Sequence, residues 1–108
     1  MKTVIQVLCK RGPSLREAIS SDPHLEFYYL KLVRGKKQGR SPGWAKVNSN
    51  RGCAGAINFD WSSTSQTLTC WVVTKKGNKP YDIAGDFIAC LLARHSKRIV
   101  TIVLSQAK

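Results

Sequence analysis

Six short runs rich in β-branched and aromatic residues, none longer than nine residues, commit this chain to a sheet. They cover 3–9 (TVIQVLC), 26–34 (EFYYLKLVR), 44–49 (WAKVNS), 54–61 (AGAINFDW), 66–74 (QTLTCWVVT) and 97–105 (KRIVTIVLS). Side chains in a strand alternate between two faces. The run 66–74 therefore sets Leu68, Cys70 and Val72 against Thr67, Thr69, Trp71 and Val73. Ile57, Phe59 and Trp61 share a face in the fourth run. In the second, Tyr28, Leu30 and Leu32 oppose Phe27, Tyr29, Lys31 and Val33. The first run is short and almost wholly apolar, which predicts a strand buried on both faces or nearly so. The last run predicts another buried strand.

Two segments carry the helical period instead. PYDIAGDFIACLLARH, 80–95, places Ile83, Phe87 and Leu91 in one stripe, widened by Ala84, Ile88 and Cys90. Pro80 suits a first turn and Asp82 the positive end of the helix dipole. Gly85 weakens this helix by roughly 1 kcal/mol relative to Ala, and a close approach to the sheet would explain it. PSLREAI, 13–19, predicts a short helix with Pro13 in its first turn, stopped at Asp22-Pro23.

The resulting order is β-α-β-β-β-β-α-β in a single α+β domain, residues 1–108. A mixed or mostly antiparallel sheet with two helices packed on one face is expected. Each end has the form of a β-α-β unit, right-handed if its strands are parallel. The order resembles the split β-α-β pattern of ferredoxin-like folds with an added hairpin. A chain of 108 residues suits one domain and buries a core large enough to fold without staples.

Charge narrows the function. Eighteen Lys and Arg face six Asp and Glu, a formal +12. A small domain normally carries about 2 to 8 net charges, and the excess self-repels, which points to a polyanionic partner. Nucleic acid is the commonest; an anionic membrane, a heparin-like polymer or an acidic protein are others. The acids are regional: none lies between Glu26 and Asp60, and none follows Asp86.

Residues 31–52, KLVRGKKQGRSPGWAKVNSNRG, fall in that acid-free stretch. Lys31, Arg34, Lys36, Lys37, Arg40, Lys46 and Arg51 would neutralise phosphates and release condensed counterions. Glycines 35, 39 and 43 let the loop follow a backbone. Trp44 offers a ring face for base stacking, with Tyr28 and Tyr29 nearby. Asn48, Ser49 and Asn50 could hydrogen-bond bases or sugars. Aromatics interleaved with cations, and the lack of a basic helix face, favour RNA or single strands over duplex DNA. A second basic turn, Lys75, Lys76 and Lys79, precedes the long helix, whose N–H groups could hold phosphate but for the competing Asp82.

RGCAGAINF, 51–59, resembles the RNP1 stretch of RNA-recognition motifs at Arg51, Gly52, Ala54 and Phe59. The alignment needs one extra residue. Cys53 and Gly55 stand near where stacking aromatics belong, and the first strand has no matching aromatic. The chain is not placed in that family.

Other chemistry is thinner. Cys9, Cys53, Cys70 and Cys90 form no CxxC pair, so no zinc or thioredoxin-like motif is present. They are expected to be reduced, with Cys70 and Cys90 as small core hydrophobes. Asp60, Asp82 and Asp86 make no DxD or ExK cluster, and neither a metal nor a small-molecule cofactor is indicated. His24 and His95 are the residue types of a metal-independent ribonuclease, but they follow no motif. The balance favours a binding protein over an enzyme. A further alternative is a protein-interaction module or homodimer anchored by Trp61 or Trp71. The apolar start is short and broken by Gln6, and no stretch approaches the ~20 apolar residues of a membrane span, so a cytoplasmic protein off the membrane is expected.

Overall fold

Sheet pairing converts these runs into six antiparallel strands in the order β2-β3-β4-β5-β1-β6. The computed structural model describes residues 2–33, 44–50, 55–74 and 80–107. Its elements are β1 (Lys2–Cys9), α1 (Leu15–Ser20), β2 (Leu30–Leu32), β3 (Trp44–Ser49), β4 (Gly55–Ser62), β5 (Thr67–Thr74), α2 (Pro80–Arg94) and β6 (Ile99–Ala107). Short 3-10 turns at Leu25–Tyr28 and Ser96–Arg98 lead into β2 and β6. The fold is α+β, as the order of runs predicts.

β1 lies between β5 and β6, so β5-α2-β6 is a split crossover between two strands of the same direction. β5 likewise lies between β1 and β4. Strands β4-β5-β1-β6 thus form the split β-α-β arrangement, and the β2–β3 hairpin extends it past β4.

The core forms on one face. Ile5, Val7, Val47, Ile57, Phe59, Leu68 and Cys70 are buried there beneath Leu15 and Ile19 of α1 and Ile83, Phe87 and Leu91 of α2. Phe59 and Phe87 meet at 5.9 Å between ring centres. Full burial of such side chains stabilises the fold by about 1.5–3 kcal/mol each. Cys70 and Cys90 are core residues, as their apolar runs imply.

Five expectations need correction. β1 is buried on one face only: Thr3, Ile5 and Val7 are covered, whereas Gln6 and Leu8 are exposed, because both helices pack on the same side of the sheet. β6 is a sheet edge rather than a buried strand; Val100, Val103 and Leu104 are exposed. Pro13 precedes α1: Ser14 is the N-cap and its hydroxyl accepts the Glu17 N–H at 3.3 Å. The run 26–34 is not one strand. Its first part is the 3-10 turn, and Tyr29 is left-handed (φ 60°), leaving three residues for β2. Gly85 makes no close approach, since it is exposed and an added Cβ would meet nothing within 4 Å.

Gly12 does serve an approach. A Cβ there would lie 3.0 Å from the Arg98 guanidinium carbon, so glycine lets Arg98 cross the end of β1. Arg98 Nη2 donates to the Lys10 carbonyl at 3.2 Å, and the Lys10 N–H donates to the Arg98 carbonyl at 2.8 Å. Gln66, also left-handed (φ 53°), ties the β4–β5 turn to the same corner. Its carbonyl accepts the Cys9 N–H and its side chain the Gly12 N–H, both at 2.9 Å.

Candidate nucleic-acid interface

Register decides which side chains share the face away from the helices. Lys46 stands opposite Asn58, which stands opposite Trp71, then Val4 and Ser105. Two residues along, Trp44, Asp60, Thr69, Gln6 and Val103 make the neighbouring row. On the other side run Lys31, Asn48, Ala56 and Val73. Phe59 and Ile57, which alternate with Asn58 and Asp60, point into the core, so all three rows lie on the opposite, helix-free face.

Three sequence-predicted site residues are therefore brought together. Lys31 is exposed; Lys46 and Trp44 are half-buried. The Val33 N–H donates to the Lys46 carbonyl at 2.9 Å, which holds the end of β2 against β3. Arg34, Lys36, Lys37, Arg40 and Arg51 lie outside the described residues, as does the basic turn Lys75, Lys76 and Lys79. Tyr28 and Tyr29 do not join the face: Tyr28 packs on the core, and Tyr29 sits in the left-handed turn.

Two further residues join this face through the register. Trp71, 41% exposed, occupies the centre of the face, roughly 12 Å from Trp44 by strand spacing and rise. Asn58 lies between Trp71 and Lys46. Alternation in 66–74 separates Trp71 from the core side, but only pairing register puts it beside Lys46. Trp61, by contrast, packs against the core and is no free anchor.

A second constellation forms where α2 ends. Asp22 follows α1, and its side chain is 2% exposed. Its carboxylate accepts the His24 N–H at 2.9 Å and Arg94 Nε at 3.3 Å. His95 Nε2 lies 3.2 Å away and His24 Nδ1 3.6 Å away. Burial alone would raise the Asp22 pKa, but the His24 N–H bond and the Arg94 and His95 charges outweigh it and hold the carboxyl below its ordinary value. Burial lowers the His95 pKa, although Asp22 pulls the other way. The two histidines, far apart in sequence, thus share one carboxylate. Beside them a cleft of about 230 Å³ is lined by Ser20, Asp22, Leu25, Glu26, Leu30 and Lys31, among others.

Burial disfavours the thiolate at each of the described cysteines, Cys9, Cys70 and Cys90. Burial pushes Cys90 up to about 11 and raises Cys9 and Cys70 as well. No helix among the described residues is long and apolar enough to cross a membrane. No protein-family model, curated protein or solved structure matches the chain.

Proposed function

We propose that this chain binds nucleic acid across the helix-free face of its sheet, with RNA or single strands preferred over duplex DNA. The observation that carries the reading is the meeting of Lys31, Lys46, Trp44 and Trp71 on one face of the sheet, bare of helices among the described residues, in a +12 chain. Lys31 and Lys46 would neutralise phosphates. Trp71 and Trp44 would stack on bases, which needs unpaired strands with their faces available. Asn48 and Asn58 would donate and accept hydrogen bonds at base edges. On sequence grounds Arg34, Lys36, Lys37, Arg40 and Arg51 would lengthen the phosphate track.

The test is anisotropy of a labelled single-stranded RNA and a labelled duplex DNA across a salt series. Single-strand binding with a steep salt slope is expected. Lys31→Gln with Lys46→Gln should flatten the log–log slope by about 1.4, and Trp71→Ala should weaken binding by about 1–3 kcal/mol. Affinity unchanged in both variants would remove the sheet face as the site.

A second reading, metal-independent RNA cleavage, is favoured by one observation: His24 and His95 converge on Asp22. His24 is 41% exposed and would be the accessible acid–base group. Incubation of an oligoribonucleotide with chelator tests it. Cleavage lost in His24→Gln supports the reading, and an intact substrate with the unsubstituted protein ends it.

A further inference from the structure

We propose that β6 is a dimerisation edge, on which a second copy of this chain pairs its own β6 antiparallel to the first. β6 hydrogen-bonds to β1 on one side, and among the described residues no strand lies on the other. An open edge is a row of unpaired N–H and C=O groups, and proteins usually blunt it with charge, proline, shortness or a cover. β6 has no charge and no proline, is not short, and among the described residues has no cover. Ile99–Ala107, IVTIVLSQA, is nine residues long and contains no Lys, Arg, Asp, Glu, Pro or Gly. Val103 is 42% and Leu104 45% exposed, one on each face. The single irregularity is a register shift opposite Leu8 and Cys9, which leaves Thr101–Ala107 a regular template.

Composition selects the occupant. A strand without charge offers nothing to a polyanion and nothing to an acidic peptide in particular. It does match itself. A two-fold axis perpendicular to the sheet pairs residues that face the same way. Centred on Val103, it sets Val103 against the partner's Val103, and Ile102 against the partner's Leu104. Centred on Leu104, it sets Leu104 against the partner's Leu104, and Val103 against the partner's Ser105. Either register covers apolar side chains on both faces and satisfies the open backbone row.

Net charge opposes association, and placement moderates it. β6 is the edge farthest from Lys31 on β2, roughly 24 Å across five strand spacings. That exceeds the screening length of about 8 Å at physiological salt. Lys10, Lys97 and Arg98 lie nearer, at the β1–β6 corner, so added salt should strengthen the dimer. The axis keeps both helix-free faces on the same side, giving one twelve-stranded platform. The inference does not depend on what that platform binds.

Sedimentation of the full chain over rising concentration, at physiological and at high salt, tests the pairing. A monomer–dimer equilibrium that tightens with salt is expected. Val103→Lys and Leu104→Lys should each abolish it while leaving the circular dichroism spectrum unchanged. Should either variant unfold, Thr101→Lys and Ser105→Lys, at exposed polar positions, make the same test. Hydrogen exchange at β6 amides should slow with concentration in the unsubstituted protein alone. A monomer throughout, or a dimer that survives these lysines, would overturn the proposal.

Discussion

β2 closes one edge of the sheet with three residues and β6 closes the other with nine. β2 is entered through a left-handed Tyr29, carries Lys31 at its centre and leads into the basic segment. Beyond its first residues β6 is regular in register, carries no charge and exposes one large apolar side chain on each face. One edge is interrupted and charged, as edges usually are, and the other is left as a template. On the proposed reading the difference would separate two tasks: Lys31 and Lys46 on the β2 side would meet phosphate, and the uncharged β6 would meet a second copy.

The comparison breaks first at the core. α2 packs equally on β4, β5 and the 3-10 turn before β2, and reaches β2 itself. Phe87, 1% exposed, is its central contact with Phe59. Phe87→Ala should destabilise the fold by about 3–5 kcal/mol in chemical denaturation. Below the unfolding transition, amides of β2 and β3 should exchange before those of β1 and β6, because the long β1–β6 ladder is less dependent on the helix. Earlier exchange at β6 would mean that the two edges differ in length but not in local stability.

Asp22 sharpens the same contrast by a smaller amount. It fastens the end of α2 to the turn that starts β2, and it touches nothing on the β6 edge strand. Asp22→Ala should cost about 1–3 kcal/mol, as expected for lost hydrogen bonds to a charged group, with the loss centred on β2. Acidity should act on it in two stages. His95 has a lowered pKa, so below its ordinary 6.5 the unfolded chain binds protons that the folded one refuses, and stability falls as pH falls. Asp22 also has a lowered pKa; its contribution is intact above its ordinary 3.8 and is lost as pH drops through the folded value. Thermal melts from neutral pH downward should show both stages. Asp22→Ala should remove the second and extend the first, since the carboxylate that supported His95 protonation is gone.

Much of this was legible in the residues and some was not, for definable reasons. The runs 44–49, 54–61 and 66–74 became β3, β4 and β5 with ends shifted by no more than a residue, because their alternation agrees with their burial. The added hairpin on a split β-α-β order followed from counting elements. β1 and β6 depart from the expected burial because apolar content does not reveal which face or edge a strand receives. Leu8, Val103 and Leu104 look like core residues and are exposed. The 26–34 run has strand-like composition, but its first part is a 3-10 turn closed by the Phe27 N–H on the His24 carbonyl and the Tyr29 N–H on the Glu26 carbonyl, beside an Asp22 held by Arg94, 72 positions away. For the same reason the convergence of His24 and His95 could not be read from spacing. Lys31, Trp44 and Lys46 could be chosen by type, but their common face with Trp71 required the register.

The smallest expected effect supplies a background for the edge experiments. Gly85 sits inside α2, is exposed, and would place an added Cβ in open space. Alanine there adds no clash and reduces the freedom of the unfolded chain, so Gly85→Ala should raise stability by about 0.5–1 kcal/mol. It lies on the far side of the helix layer from the open sheet face. The variant should therefore melt higher while its salt slope on RNA and its sedimentation stay unchanged, and the β6 lysines can be introduced into it with less risk of unfolding. A loss of stability, or a change in association, would mean that the outer face of α2 is covered in the native assembly, and the second copy would then have to be sought on the helices instead of on β6.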